Sequence, residues 1–444
     1  MAVDYEDIVF RPFRYKIEDI TLNIPEYGEY KVNPISVTQI ILQKKFDTEI
    51  YPYFELTVVL PNKITRQMQE HNIDIKCNFH LVGGYSKAIT DEDYSVDNYN
   101  EEEEIIWDQE VINQEFYVVI SNGVNDITEL NDESAEEEMY PEDEDLDEES
   151  YPQVMTESSR TIKMLLYNEN YLAGIKDVIN NVLRNATPMT AVMYILSKCG
   201  VKNVLFEKPT NNTSISELLL RPISAMENID MIINNFSLHE GGTLLFFDLA
   251  RAYCINKSTE CKVWATNEMK KVHLMSMAKT AMQNALKEGC GVVDNEGYIN
   301  ITPNSYNFKN PSVMSDRLYG SNMVTIDTET GNITKQQSEA ETGSMGSSYN
   351  VYISNGGDSS HTNILHTMRE NSVVAQFQFS NVDIDFFTPN KEFDVTFDNE
   401  KLQKYQGKYR LSQAEFSLVG NGKTFSANAL LTFKGDGQDQ TIGS

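Results

Sequence analysis

Runs of alternating apolar and polar side chains lie toward both ends of this chain and are missing from its middle, and that distribution constrains the fold most. Phe393, Val395 and Phe397 alternate with Asp394 and Thr396, which gives a strand one apolar and one polar face. The stretch 409–419 continues with Leu411, Phe416 and Leu418; after Gly420-Asn421-Gly422 come Phe425, Ala427, Ala429, Leu431 and Phe433. Asn-Gly between two such runs predicts a tight hairpin, because both central residues of the favoured turn need positive φ. Strands over 393–397, 408–419 and 424–433 then form a meander, and 373–387 adds one or two more. Toward the other end, Phe54, Leu56, Val58 and Leu60 alternate up to Pro61. Ile73, Ile75, Cys77 and Phe79 alternate after a polar, helical link over 62–72, and 116–121 is a further strand.

The middle carries helical signals instead. Asn170 precedes Leu172, Ile175, Val178, Ile179, Val182, Leu183 and Ala186, an i, i+3, i+4 stripe that predicts one amphipathic helix. Thr187-Pro188 starts a second helix with a cap and a first-turn proline, and Gly200 closes it. Ser224 and Glu227 have the spacing of a capping box for a third, through Met226, Ile229, Ile233 and Phe236 to Gly241-Gly242. Strands over 243–249, 252–256, 261–265 and 270–278 follow, although 275–286 also suits a helix. Farther on, 292–302 reads as a strand pair about Gly297, 322–328 as another strand, and 336–360 as a Gly- and Ser-rich connection. The fold class is α+β and mostly β: a small β-barrel at each end brackets an α/β middle. A length of 444 residues suits two to four domains. The boundaries fall at 1–155, 156–262, 263–350 and 351–435, with a tail over 436–444.

Charge is concentrated. The chain carries net −31, yet 25 of its 67 acids and no base lie between Asp91 and Glu149. The dense runs 91–104 and 129–149 are expected as solvated, self-repelling loops on the first barrel, with docking on a basic partner or calcium capture as alternatives. They lack the turn glycine of an EF-hand, and duplex phosphates would meet charge of their own sign. Stable nucleic-acid binding is therefore not expected. Cys77, Cys199, Cys254, Cys261 and Cys290 are odd in number with no CxxC spacing, which favours reduced thiols and a cytoplasmic site of synthesis. Met1–Phe10 has no apolar signal core, and the run 191–196 is too short to cross a bilayer, so membrane insertion is not expected.

Motifs for chemistry are weak. HExxH, GxSxG and a dinucleotide-type GxGxxG are absent from the sequence. Gly422-Lys423-Thr424 ends like a phosphate-binding loop, but Ser417 stands where its first glycine belongs. His361 and His366 read as linker residues before metal ligands. Asp383 and Asp385 share one face of a predicted strand, the placement a paired-carboxylate hydrolase uses, although such pairs arise by chance in so acidic a chain. No catalytic, cofactor or metal site is assigned, and an enzyme is not expected. Phe377, Phe379, Phe386 and Phe387 are candidate subunit-interface anchors, with ordinary core packing as the alternative.

The stretch 218–257, reading LLLRPISAMENIDMIINNFSLHEGGTLLFFDLARAYCINK, resembles the central segment of baseplate hub proteins of contractile-tailed bacteriophages. The matching positions are Leu219, Leu220, Pro222, Ser224, Ile229, Gly242, Phe246, Phe247, Asp248 and Tyr253, and Gly407-Lys408-Tyr409-Arg410 is similar to the family's last tube-like strands. The resemblance implies a homotrimer in which each subunit contributes two barrels of tail-tube type, so three chains present six modules to a hexameric tail tube and the opposite face receives a trimeric central spike. It also implies contacts with other baseplate proteins and residence in the virion tail baseplate after assembly in a host cytoplasm. The long acidic insertion departs from that pattern. A tailocin or other contractile injection device shares these expectations. A trimeric receptor-binding adhesin is the reading from a different class, although no repetitive fibre segment occurs; a fused cell-wall hydrolase would need a domain beyond the short polar tail after Phe433.

Overall fold

The computed structural model describes residues 13–70, 74–85, 105–121, 159–236, 238–239, 243–249 and 251–256, seven strands within 270–354, and residues 373–388, 392–397, 400–420 and 424–435. The first block holds β1 (Phe13–Ile24), β2 (Gly28–Lys31), β3 (Val37–Lys45), β4 (Tyr53–Pro61), α1 (Asn62–Glu70), β5 (Lys76–Tyr85), β6 (Gln109–Ser121) and β7 (Ser159–Tyr167). The middle holds α2 (Glu169–Lys176), β8 (Val178–Ala186), α3 (Pro188–Lys198), β9 (Val204–Phe206), β10 (Ile215–Ser224), α4 (Ala225–Phe236), β11 (Thr243–Asp248) and β12 (Arg251–Asn256). Then come β13 (Lys270–Leu274), β14 (Val293–Asn295), β15 (Tyr298–Ile301), β16 (Ser305–Lys309), β17 (Gly320–Asp327), β18 (Ile333–Gln337) and β19 (Ser347–Ser354). The last block is β20 (Val373–Ser380), β21 (Glu392–Phe397), β22 (Gly407–Gly420) and β23 (Phe425–Gly435).

The alternating runs do form strands, and the two ends of the chain share one sheet. Antiparallel pairing runs β1–β5–β6–β7–β4–β3–β22–β23 and returns to β1 through the single pair Tyr15 and Phe425, closing a ring of eight strands. A second series runs β16–β20–β23–β22–β21–β13–β15–β14; among the described residues its two ends are not bonded to each other. The hairpin of β22 and β23 stands in both. Along one edge of β22, Gly407–Arg410 pair with β21 and Gln413–Val419 pair with β3. Its register with β23 slips between Leu411 and Gln413, where the partner on that edge changes. One extra residue at such a bulge bends the strand and lets a single hairpin serve both series. The sequence reading set the end modules apart as 1–155 and 351–435; hydrogen bonding between distant strands joins them, which local periodicity does not encode.

Burial follows the pleat. β1 alternates buried and partly exposed positions along its length, and Phe13, Tyr15, Phe54, Phe79, Phe116, Phe416 and Phe425 are fully buried in one core that draws on both ends of the chain. Phe54 meets Phe79 and Phe116 edge to face, with centroids 5.7 and 5.3 Å apart. Truncating one such ring costs about 3–5 kcal/mol.

The middle has its own core, in which Val192, Ile195 and Leu196 of α3, Ile229 and Ile232 of α4, and Leu218 and Leu220 of β10 are buried. Thr187 caps α3 by accepting from the Thr190 N–H at 3.2 Å, and Ser224 and Glu227 exchange the reciprocal bonds of a capping box. The single helix expected from Asn170 to Ala186 is two elements. Asn168, not Asn170, caps α2 and accepts from the Asn170 N–H at 2.8 Å; the helix ends at Lys176, and 178–186 is β8, paired to β10. Val178, Ile179 and Val182 are β-branched and Asn180 and Asn181 disfavour helix interiors, so pairing with an extended partner outweighs a coincidental 3.6-residue stripe.

Close backbone approach requires glycine at Gly84, as it does at Gly420 and Gly435. A Cβ on Gly84 of β5 would lie 2.1 Å from the Ile106 carbonyl oxygen. Gly84→Ala is expected to lower unfolding stability by about 1–3 kcal/mol in denaturant titration, because the backbone must shift to relieve the clash.

Candidate assembly interface

Three features of the folded chain bear on assembly: a polar sheet face, a bare two-stranded ribbon, and the buried junction that orients the ribbon's domain against the sheet. The polar face is the outer side of β16, β20, β23, β22, β3 and β4. Cross-strand register sets Ser305, Gln378, Leu430, Glu415, Gln43 and Tyr53 in one row. The next row sets Ser380, Asn428, Ser417, Ile41 and Glu55 side by side. These rows hold amides, hydroxyls, two carboxylates and the aliphatics Leu430 and Ile41 around a depression of about 430 Å³, and Lys163 of β7 reaches Glu55 at 3.4 Å.

The ribbon is β8 with β10. Its inner face lays Leu218 and Leu220 on the helices, while Val182 and Leu219 stand opposite one another on the outer face, 46% and 59% exposed, with Val178 at 63%. Arg184 and Glu217 pair across the same face at 3.7 Å.

The junction begins at Lys44 of β3, whose ammonium is buried against the Asp248 carboxylate of β11 at 2.5 Å. The Phe247 N–H donates to the Ile50 carbonyl at 2.6 Å, the Asn168 N–H donates to the Tyr51 hydroxyl at 2.8 Å, and Tyr51 stacks on Tyr171 at 4.4 Å. Arg410 of β22 donates to the Asn256 carbonyl, and the Asn256 N–H donates to Glu207 at 2.6 Å. The imidazole of His239 lies 3.2 Å from the Glu207 carbonyl oxygen and 3.2 Å from the Thr243 hydroxyl, and burial pushes its pKa down.

Asp383 and Asp385 belong to the same junction and lie in the turn after β20, not on a strand. Asp383 accepts from its own turn, the Asp385 N–H at 2.9 Å, and from the Gln109 amide at 3.3 Å; the Tyr15 hydroxyl donates to the Val382 carbonyl and accepts from the Ile384 N–H. Asp383 ties β6 to the turn and Tyr15 ties β1 to it, the geometry of a structural clasp. A cavity of about 320 Å³ beside Asp385 is lined by Lys44, Asp248 and Arg251 among others. Burial, offset by Lys44 and reinforced by Asp383 and Asp248, pushes the Asp385 carboxyl up to about 6.

The remaining sequence candidates fall as follows. Phe377, Phe379, Phe386 and Phe387 are all buried within their own chain, Phe379 stacked on Phe387 at 5.7 Å and Phe386 edge-on to Phe387 at 4.9 Å. They take the core-packing alternative and offer little surface to a neighbour. Gly420 faces Phe425 across the β22–β23 hairpin, and 421–423 lie outside the described residues. Cys254 is buried; Cys261, Cys290, His361, His366, both acidic runs and the chain's first twelve residues lie outside the described residues. Among the described residues no three His, Cys, Asp or Glu side chains are placed to share a metal ion, and no helix is long and apolar enough to cross a membrane.

A carboxyl raised in the fold binds its proton more tightly than in the unfolded chain. The stabilisation linked to Asp385 is therefore complete below its ordinary value of 3.8 and lost as pH rises through about 6. Asp385→Asn is expected to stabilise the protein at pH 7 by roughly 2–3 kcal/mol and to flatten this part of the pH profile, read by thermal unfolding between pH 4 and 7.5.

The comparisons agree with this architecture. The sequence profile of the family described as Bacteriophage PBS1 gene 109 protein matches residues 29–435. No curated protein matches the chain. Among solved structures, the tail protein from Neisseria meningitidis MC58 is similar at 8% identity and TM-score 0.53, over 95% of this chain and 97% of that one. The lidded PdpA-VgrG complex of Francisella is similar at 7% identity and TM-score 0.50, over 97% of this chain and 53% of that one. The 43 kDa tail protein of prophage MuSo2 from Shewanella oneidensis aligns at 10% identity and TM-score 0.48, over 94% and 97%. At these identities the likeness to the Neisseria meningitidis and Francisella structures speaks for the fold alone, and the profile match over most of the chain speaks for descent. The chain belongs to the Bacteriophage PBS1 gene 109 protein family.

Proposed function

We propose that this chain is a structural subunit of a phage tail baseplate, a hub that closes into a trimeric ring between the tail tube and the central spike. The observation that supports the reading is the hairpin of β22 and β23, which is shared by the closed eight-strand ring and the second strand series of one sheet. In this reading each series corresponds to one tube-type module, so three chains would present six modules to a sixfold tube while keeping a threefold face for the spike and for other baseplate proteins. Closed rings leave no unmatched contact surface, which is why a threefold collar with duplicated modules can end a sixfold cylinder.

The work is adhesive and structural, without a cofactor, and its place is the virion tail after assembly in the host cytoplasm. Stable nucleic-acid binding is no part of this role, since such binding draws on Lys and Arg against phosphate and the chain carries net −31. Size-exclusion chromatography with light scattering on the full chain is expected to give three times the 50.6 kDa subunit mass. A monomer that stays monomeric in the presence of its tube and spike neighbours would overturn the reading.

A further inference from the structure

We propose that Lys44 is an ammonium contested by two carboxylates, and that the charge on Asp385 decides how firmly the tip of the β11–β12 hairpin is seated on the large sheet. The proposal concerns contacts within one chain and makes no use of the ring. Three distant parts of the sequence meet at the cavity of about 320 Å³: Lys44 comes from β3, Asp248 and Arg251 from the facing ends of β11 and β12, and Asp385 from the turn after β20. Lys44 is 3% exposed and bonded to Asp248 at 2.5 Å, which ties the sheet to the hairpin. Asp385 feels both partners, favoured in its charged form by Lys44 and disfavoured by Asp248. An ammonium is one point charge, so a second charged carboxylate draws it off the first and repels that first carboxylate through the same poorly screened space. Sharing is therefore felt at the bond between sheet and hairpin.

The other groups around Asp385 leave the competition to it. Asp383, on the same turn, is engaged by the Asp385 N–H, the Gln109 amide of β6 and the Tyr85 hydroxyl of β5. Tyr15 of β1 and Tyr253 of β12 are pushed up by burial and stay neutral, Arg251 is exposed at the rim, and Asn113, Gln114 and Asn203 bring amides without charge. Burial, opposed by Lys44 and reinforced by Asp383 and Asp248, pushes the Asp385 carboxyl up to about 6. When the hairpin tip lifts, water reaches Asp385 and Asp248 moves away, so the carboxyl returns toward its ordinary value of 3.8. The seated form thus holds the proton more tightly than the lifted one. The seat is firmest below that ordinary value and loosens as pH rises through about 6. Phe46 against Phe246, edge to face at 4.7 Å, has no charge to change, so the tip responds and the apolar contact stays.

The test reads one amide in the full chain. The Phe247 N–H, next to Asp248, donates to the Ile50 carbonyl across this junction, while the Val118 N–H donates to the Ile75 carbonyl beside β5 and β6, away from it. Hydrogen exchange at residue resolution, corrected for its intrinsic pH dependence, is expected to release Phe247 before Val118. Protection of Phe247 is expected to fall several-fold, up to about tenfold, between about pH 5 and 7.5. Asp385→Asn removes the competing charge at nearly constant shape and is expected to hold that protection at its pH 5 level throughout. Exchange of Phe247 together with Val118 would mean that the seat opens only with the whole fold, and equal protection at the two pH values would mean that Asp385 has no hold on it. Either result overturns the proposal in the wild-type chain, without any variant. A folded Asp385→Asn chain that keeps the wild-type fall overturns it as well.

Discussion

The hairpin of β22 and β23 is the constraint on which the rest of the structure depends. A strand has two edges, and in most sheets each edge meets one neighbour. Here the outer edge of β22 is divided between β21 and β3, and that of β23 between β20 and β1. The slip after Leu411 is what permits the division, because a straight pleat would hold β22 against one partner along its whole length. Ser412 lies at the slip, and its hydroxyl donates to the Thr432 carbonyl at 3.0 Å, tying β22 to β23 where their register changes. The first ring closes only when the last two strands of the chain have arrived, so the fold is dominated by contacts between residues hundreds of positions apart, and folding topologies of that kind are slow.

The junction fixes how the middle domain stands against this double sheet. Lys44 is buried and Asp248 largely so, and removal of either would leave the other charge without its partner, which costs up to about 3–5 kcal/mol for a fully buried pair. A salt bridge in such a place adds little net stability over well-packed aliphatics; what it adds is a demand that β3 and β11 meet in one register. The stacked Tyr51 and Tyr171 and the bond from Phe247 to Ile50 make the same demand from neighbouring positions. Together they hold the ribbon in a set orientation relative to the sheet. Asp385 works against the junction at neutral pH, its charge kept in a site where burial is the largest influence on it.

Much of this was legible in the sequence, and the limit of legibility is physical. Period-two alternation placed β4, β5, β21, β22 and β23, since side-chain alternation is a property of each strand alone. The caps at Thr187 and at Ser224 with Glu227 were legible for the same reason: a cap is a contact across three residues. Strand order was not, because partners such as β3 and β22 are separated by more than 350 residues and no local pattern states the pairing. The stretch 170–186 misled because aliphatics occupy both faces of β8, and a strand apolar on both sides imitates a helical stripe. That same doubling was the unused signal of the ribbon: Ile179 and Leu183 face the middle core, so Val178 and Val182 had to face elsewhere. The Phe377 to Phe387 aromatics carried no sign of which side of the sheet they would take, and the inner side won because it removes more ring area from water.

Charge distribution supplies the last step. With 25 acids gathered between Asp91 and Glu149, the other 385 residues hold 42 acids against 36 bases, close to balance. The acidity is thus an addition to a nearly neutral framework, and it acts at a distance where the framework acts at contact. Long-range repulsion between copies keeps unassembled chains apart and falls off within about 8 Å at physiological salt.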